Sequence, residues 1–497
     1  MWKYLLRSLT YNKYKIILLL FLMYLKKNFK SLLFLMINST SSGNAYIENE
    51  KQNAIKKIRN TVFKKNWCNN YKLIPDQGIT KEKIFKIVSQ RNSKPNNKIS
   101  GTIYNNRQIV ASISNYMYNL YQYSNPLHSD VFPELIKMES EIISMIGNLF
   151  DLPKTGGGNL TTGGTESTIL AVKAYKKYKK KNRYLNFGQL EVLTTKAGHA
   201  AINKACELLN LKLVYVKLTS DLEMDCDDLK RKISSRTCVV IASYPSYAYG
   251  IVDPIYDICE ICKKNNIPLH VDACLGGFIT QFDNKMRISF LKGIDSISID
   301  PHKFGYAPKG SSVLLWRENK YRHEQYFIVE DWTGGIYASC SLPGSRVGSQ
   351  IATTWAVLLY NGEQYYKMMA QKIKDCTVYL SNEINKIDTF YVLGNPTVNV
   401  VAFNSKKYSL SQILNSFSNK GWNLNILQNP KALHICLTPN NMQNIEEFIR
   451  ILKMISVSEK NNVKNDMISI YGMATKIDNT KIIKEVITGY LDLTTKN

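Results

Sequence analysis

The sequence predicts an α/β fold, with a large domain built on a mainly parallel sheet covered by helices and a smaller C-terminal α+β domain. Three observations predict it. The chain has 497 residues, too many for one compact core. Short apolar runs such as Cys238–Ser243 and Ile267–Val271 read as buried strands, and they alternate with segments of helical period such as Glu134–Leu149 and Thr168–Lys180. From about residue 365 the pattern changes to shorter elements, among them the strand-like Trp422–Asn425 and Leu433–Leu437. A hydrophobic share of 44% is enough for a sizeable core. No internal repeat is evident.

The net charge is +26, a value that raises nucleic acid or an anionic membrane as partners. No basic helix interleaved with aromatics, no zinc-finger spacing and no RNP-like motif accompanies it, so no nucleic-acid partner is expected. The excess reads as compositional bias, with Lys, Asn, Ile and Tyr abundant together. Ten cysteines lie scattered through apolar segments. The Cys259–Cys262 pair sits on a predicted helix over Tyr256–Asn265 with no second pair or histidine nearby, and reads as buried reduced thiols. Such usage suits a cytosolic catalytic part. None of the six histidines has metal-ligand spacing to another, and no metal is expected.

Residues 1–37 carry seven basic residues and no acidic one, around apolar runs at Ile16–Leu25 and Leu32–Ile37. A ten-residue helix rises only ~15 Å, about half a hydrocarbon core. Joining the runs would bury three lysines, at roughly 2.5–3.5 kcal/mol each near the centre. A cleaved signal peptide, a mitochondrial presequence and an interfacial helix all fit this pattern, which departs from a clean membrane-spanning anchor. Residues 38–60 read as a linker, which gives the expected divisions 1–60, 61–125, 126–364 and 365–497. Residues 80–99 read as helix, then loop.

The chemistry concentrates in four later stretches. Ser296–Ile299 alternates as a strand and breaks at Asp300-Pro301. It then presents His302-Lys303 on a turn before the strand Ser312–Trp316. A lysine fixed there suits a Schiff-base role, with a neighbouring cation expected to lower its proton affinity. Gly156–Ser167 is a Gly/Thr-rich turn leading into a helix, where backbone N–H groups and the helix N-terminus can receive a phosphate. Asp272 ends an apolar strand, and a carboxylate there needs a partner to offset its desolvation. Strand alternation would set Cys274 on the same side as Asp272. His199 stands at a strand–helix boundary, where it could simply cap the helix.

The run Lys303-Phe304-Gly305-Tyr306-Ala307-Pro308-Lys309-Gly310-Ser311-Ser312 resembles the lysine signature of pyridoxal-phosphate (PLP) enzymes of the group II decarboxylase superfamily. Within it, the run is most similar to the sphingosine-1-phosphate lyase family. Ser100-Gly101-Thr102-Ile103-Tyr104, Asn125-Pro126-Leu127-His128, Thr162-Gly163-Gly164-Thr165-Glu166-Ser167 and Ile470–Ala474 match the family's motifs in order, from about Ser100 onward. Pro301 departs from it and is more usual in the decarboxylase cousins.

The resemblance implies a fold of the aspartate-aminotransferase type (fold type I) and a PLP cofactor linked to Lys303. Asp272 would hold the ring nitrogen protonated, His199 and Cys274 would line the ring's two faces, and His302 would flank the lysine. Gly164 and Thr165 would take the cofactor phosphate. Gly344 and Ser345, after a mobile loop at 331–337, would reach the neighbouring subunit's cofactor in an obligate homodimer. Tyr104, Asn125, His128 and Lys309 would face the phosphate of a phosphorylated sphingoid base, which the enzyme would cleave to a long-chain aldehyde and phosphoethanolamine. An endoplasmic-reticulum membrane anchor, with the enzyme facing the cytosol, is implied too. The rivals are an amino-acid decarboxylase acting on glutamate or an aromatic substrate, and an inactive membrane-bound scaffold. The second would be expected to have lost Lys303 or Asp272.

Overall fold

The computed structural model describes residues 73–91, 96–181, 188–458 and 480–495, with five positions between 48 and 56. The basic N-terminal stretch, most of the linker, Cys68 and the Ile470–Ala474 motif lie outside the described residues. The chain divides into two units. One comprises residues 1–94 and 468–497 and contains the helices Lys81–Arg91 and Thr480–Thr495. The other, residues 95–467, holds everything that follows.

Its main sheet has seven strands: β1 (Gly157–Thr161), β2 (Glu191–Thr195), β3 (Lys212–Val216), β4 (Thr237–Ser243), β5 (Leu269–Asp272), β6 (Ser296–Ile299) and β7 (Ser312–Trp316). They lie in the order β1-β7-β6-β5-β4-β2-β3. Pairings from β6 through β5, β4 and β2 to β3 are parallel, and β7 runs antiparallel to both β6 and β1. The sheet is therefore mainly parallel, as expected, with one reversed strand. Strand β4 reads Thr-Cys-Val-Val-Ile-Ala-Ser and is buried at every position, the continuous apolar run of a strand covered on both faces. The covering helix Ile255–Lys264 has Asp257 in its first turn and Lys263 and Lys264 in its last, which complements the helix dipole.

The segment between β1 and the next helix differs from the expected pattern. The helix begins at Gly164, four residues before the apolar period starts, and runs to Lys181. Its first turn is thus the glycine-rich loop itself. Pattern reading places a helix where apolar residues recur, and Gly-Thr-Glu-Ser carries none.

The strand pair β8 (Phe327–Val329) and β9 (Tyr337–Ser339) flanks the 330–336 loop. A long helix, Gly348–Asn385, follows and is broken at Gly362, whose φ of 65° and ψ of 165° are non-helical. Beyond it, β10 (Phe390–Val392), β11 (Val400–Ser405), β12 (Asn425–Leu427) and β13 (Ala432–Cys436) form an antiparallel sheet in the order β10-β11-β13-β12. The strand expected over Trp422–Asn425 starts only at Asn425. Trp422 is instead a buried core residue, its ring 5.1 Å from that of Phe448. Phe448 also meets Phe417 at 4.4 Å and Phe403 at 5.8 Å, and so it centres the second core.

Truncating Phe448 to Ala removes that centre. It is expected to destabilise the fold by about 3–5 kcal/mol, read as a fall in the urea midpoint at unchanged slope.

Candidate active site

The carboxyl ends of β1, β2, β4, β5 and β6 point to one edge of the sheet, and the chemistry-bearing residues gather there. Lys303 follows β6 on the turn to β7, with its amide bonded back to the Asp300 carbonyl at 3.0 Å. Its Nζ lies 2.8 Å from Asp300 Oδ2, and His302 Nε2 lies 3.4 Å from the same oxygen. Asp300 is only 1% exposed. Burial works against the charge on Lys303, but the Asp300 carboxylate, together with Cys274 and Tyr104, holds the ammonium above its ordinary range. Burial likewise opposes the Asp300 charge, yet the Lys303 ammonium holds that carboxyl below its usual value. The expectation that a neighbouring cation lowers the proton affinity of Lys303 is therefore corrected. The nearest charge is an anion, placed by the i, i+3 spacing on the turn.

Gly164 opens the adjacent helix. A Cβ there would meet Cys274 Sγ at 2.7 Å and the Asp300 oxygens at 3.1 and 3.2 Å, so only glycine fits this approach. The helix is locked to the lysine turn by hydroxyls. Thr161 Oγ1 and Ser167 Oγ are 2.7 Å apart, Ser167 Oγ and Ser312 Oγ are 2.9 Å apart, and Ser312 Oγ donates to the Ile299 carbonyl. Glu166 accepts from Thr162 N and Thr162 Oγ1 with one oxygen and from Leu342 N with the other. It shapes the loop that Thr165 belongs to.

Asp272 ends β5 and its Oδ1 accepts the Cys274 amide at 3.1 Å. The chain turns there, so the alternation argument for Cys274 does not apply; its thiol is buried against Gly164 because the turn carries it there. Burial pushes that thiol well above its ordinary value. Behind Asp272, His270 is fully buried with its two ring nitrogens 2.8 and 2.9 Å from the hydroxyls of Ser296 and Ser298. Burial lowers its pKa to about 4. His199 Nδ1 accepts the Ala201 amide at 3.1 Å, and the residue is exposed. Helix capping and an open ring face coexist in it.

Tyr104 arrives from a remote segment. Ser100 Oγ accepts the Cys436 amide at 2.9 Å, Gly101 N donates to the Cys436 carbonyl at 3.0 Å, and Gly101 adopts φ 61°, where a Cβ would crowd Cys436 at 3.3 Å. This clamp on the end of β13 is the physical content of the Ser-Gly-x-x-Tyr motif. Tyr104 then packs edge-on against Phe304 at 5.0 Å, and the Lys309 Nζ lies 4.4 Å from the centre of its ring. Burial raises the Tyr104 hydroxyl far above its usual pKa. Desolvation, then repulsion from Lys303, lowers that of Lys309. The lysine turn is also buttressed from the long helix: Tyr366 donates to the Gly305 carbonyl at 2.8 Å and stacks on Tyr306.

Lys303, His302, Lys309, Tyr104, Gly164 and Cys274 therefore converge on one edge, together with Asp300 and Glu166, which the motif reading had not singled out. The Asp-x-x-Lys spacing was the available signal for Asp300. Asn125, Gly344 and Ser345 make a separate group. Asn125 Nδ2 donates to Ser345 Oγ at 3.1 Å and its Oδ1 accepts the Arg346 amide. His128 lies on the same turn and is exposed. The Arg346–Glu139 ion pair at 2.7 Å anchors this group. No bond joins it to Lys303 among the described residues.

A phosphate-bearing aldehyde cofactor fits these residues. The glycine cradle at Gly164 opens the first turn of an 18-residue helix, a lysine nitrogen stands beside it, and Asp300 Oδ1 is buried without a hydrogen-bond partner. Fold and site together define a PLP-dependent enzyme of the decarboxylase type, and the pyridoxal-dependent decarboxylase conserved domain matches residues 108–406. Sphingosine-1-phosphate lyase 1 of Mus musculus is 35% identical over 482 residues, covering 93% of this chain and 84% of the mouse protein. The sphingosine-1-phosphate lyase of Arabidopsis thaliana is 33% identical, over 90% of this chain and 85% of its own. The solved sphingosine-1-phosphate lyase of Burkholderia pseudomallei superposes with a TM-score of 0.77 at 29% identity, covering 88% of this chain and 99% of that one. A glutamate decarboxylase from Lactobacillus brevis shares the fold, with a TM-score of 0.69 at 18% identity over 79% of this chain and 96% of its own. The chain belongs to the sphingosine-1-phosphate lyase family.

The buried His270 imposes a pH dependence. Its folded pKa of about 4 lies below the ordinary 6.5, so the unfolded chain binds more protons between those values. Its contribution to stability is complete above about pH 6.5 and falls away as the pH drops towards 4. Between pH 6.5 and 4.5, wild type should lose more stability than His270→Gln in parallel urea titrations.

Proposed function

We propose that this protein is a PLP-dependent carbon–carbon lyase that cleaves phosphorylated sphingoid bases such as sphingosine 1-phosphate. The products are a long-chain aldehyde and phosphoethanolamine. The observation that carries the reading is the Lys309 ammonium held over the Tyr104 ring, six residues after Lys303. It is a cation at the site that the cofactor does not require and a phosphorylated substrate does.

The cofactor, when bound, supplies an aldehyde carbon for amines and a protonated ring that withdraws electrons from the breaking bond. Lys303 provides the amine that links it to the chain. Gly164 and Thr165 offer first-turn N–H groups to its phosphate. Asp272 would keep the ring nitrogen protonated, and His199 and Cys274 would line the ring's faces. Tyr104, raised by burial, acts as a hydrogen-bond donor and holds its proton. With Lys309 it orients the substrate phosphate, and Asn125 and His128, which share the Ser345 segment, would reach such a phosphate across the dimer. Removal of the C3 hydroxyl proton lets the C2–C3 bond break and leaves the aldehyde.

The separate group of Asn125, Gly344 and Ser345 supports a homodimer in which Gly344 and Ser345 complete the partner's cofactor site. Residues 126–364 then form the cofactor-binding domain and 365–497 the small one. The basic, apolar stretch at 1–37 supports attachment to the endoplasmic-reticulum membrane with the catalytic part in the cytosol. Among the described residues no helix is long and apolar enough to cross a membrane.

Product analysis with a phosphorylated sphingoid base tests the reaction. The expected result is aldehyde and phosphoethanolamine; carbon dioxide from glutamate or an aromatic amino acid would replace the reading by a decarboxylase. Borohydride should fix the cofactor to wild type and not to Lys303→Ala, and trapping in the variant would move the role to another lysine. Charge-assisted bonds to phosphate contribute about 1.5–3 kcal/mol each. Lys309→Ala should therefore lower kcat/KM for the phosphorylated base ~10–100-fold while leaving cofactor binding intact. Equal slowing of an unphosphorylated base would remove the phosphate from the argument.

A further inference from the structure

We infer that Asp300 is a positioning residue: its carboxylate fixes the Lys303 nitrogen in place and sets the pH at which that nitrogen becomes free to bond to carbon. This rests on reading Lys303 as the cofactor-linking lysine. An ammonium has no lone pair, so linkage waits on the loss of one proton, at a pH that the neighbouring charge sets. Asp300 Oδ2 is 2.8 Å from Nζ, at hydrogen-bond distance. Its second oxygen, Oδ1, is buried without a partner, so the carboxylate's one strong tie is to this lysine. At 1% exposure the carboxylate is not screened by bulk water.

The neighbouring groups do not compete. Burial raises both the Cys274 thiol and the Tyr104 hydroxyl, so each keeps its own proton. Burial lowers His302, despite the pull of Asp300, so a neutral imidazole lies beside the pair. Among the described residues no other carboxylate pairs with Lys303.

Asp300→Asn removes the anion at nearly constant shape and leaves burial to act alone on Lys303. The full-length chain, freed of cofactor, is to be labelled with acetic anhydride over a pH series and the Lys303 peptide quantified by mass spectrometry. In wild type the labelling midpoint of Lys303 should lie above that of the exposed Lys154. In Asp300→Asn it should fall by about two pH units, the size one close carboxylate imposes. In the loaded protein the pH midpoint of the cofactor's absorbance band should move downward in the same variant. Coincident labelling curves for wild type and variant would overturn the proposal. So would a wild-type Lys303 that labels at or below the pH of Lys154, a comparison that stands even if the variant fails to fold. Borohydride trapping reads the assignment of Lys303 separately, so a failure there is not confused with a failure of Asp300.

Discussion

A buried carboxylate beside a buried ammonium is costly to assemble and worse to break, because either charge left alone in the interior lacks its water. The Asp300–Lys303 pair imposes that constraint on the whole carboxyl edge of the sheet. β6 must end where it does, so that the turn brings residues three apart face to face. β7 must return antiparallel, so that Ser312 can meet both the Ile299 carbonyl and Ser167. The neighbouring helix must begin with glycine, since a Cβ would displace the pair's own oxygens. The lysine is fixed by several weak ties converging on one strong one, and its direction follows from the sheet.

The same logic explains why segments far apart in sequence are joined before they reach the site. Tyr104 is set by β13 through the Ser100 and Gly101 bonds to Cys436, so a residue near the start of this unit depends on a strand more than three hundred residues later. Asn105 Nδ2 then donates to the Tyr306 carbonyl, and Tyr366 to that of Gly305. The turn after Lys303 is thereby held from two directions. The small sheet and the long helix are parts of the site's scaffold even though neither supplies a lysine or a carboxylate to it.

Much of this was legible in the sequence, because the central strands are apolar without interruption and the motifs are short and contiguous. Val-Val-Ile-Ala within β4, Asp272 at the end of β5 and Lys303 on its turn could be placed by pattern alone. Three features could not. The helix at Gly164 opens without apolar residues, so its start carried no periodic signal. Trp422 lies in a strand-like run but serves the Phe448 cluster, where packing overrides local propensity. The proton affinity of Lys303 depends on which charge lies within a few ångströms, and no linear reading fixes that. Only the Asp-x-x-Lys spacing hinted at it.

The two lysines of the site are balanced in different ways. Asp300 compensates Lys303, and the His302 imidazole beside them is disfavoured in its charged form by burial. Lys309 has an aromatic face, not a carboxylate, against its ammonium. An aromatic face stabilises a cation without neutralising it, so the positive field of Lys309 stays available to an arriving anion. Desolvation and the neighbouring Lys303 both press on that charge, and a multiply charged anion relieves both at once. Lys303 thus has its counter-ion within the fold, whereas Lys309 meets an aromatic face at the same edge of the sheet.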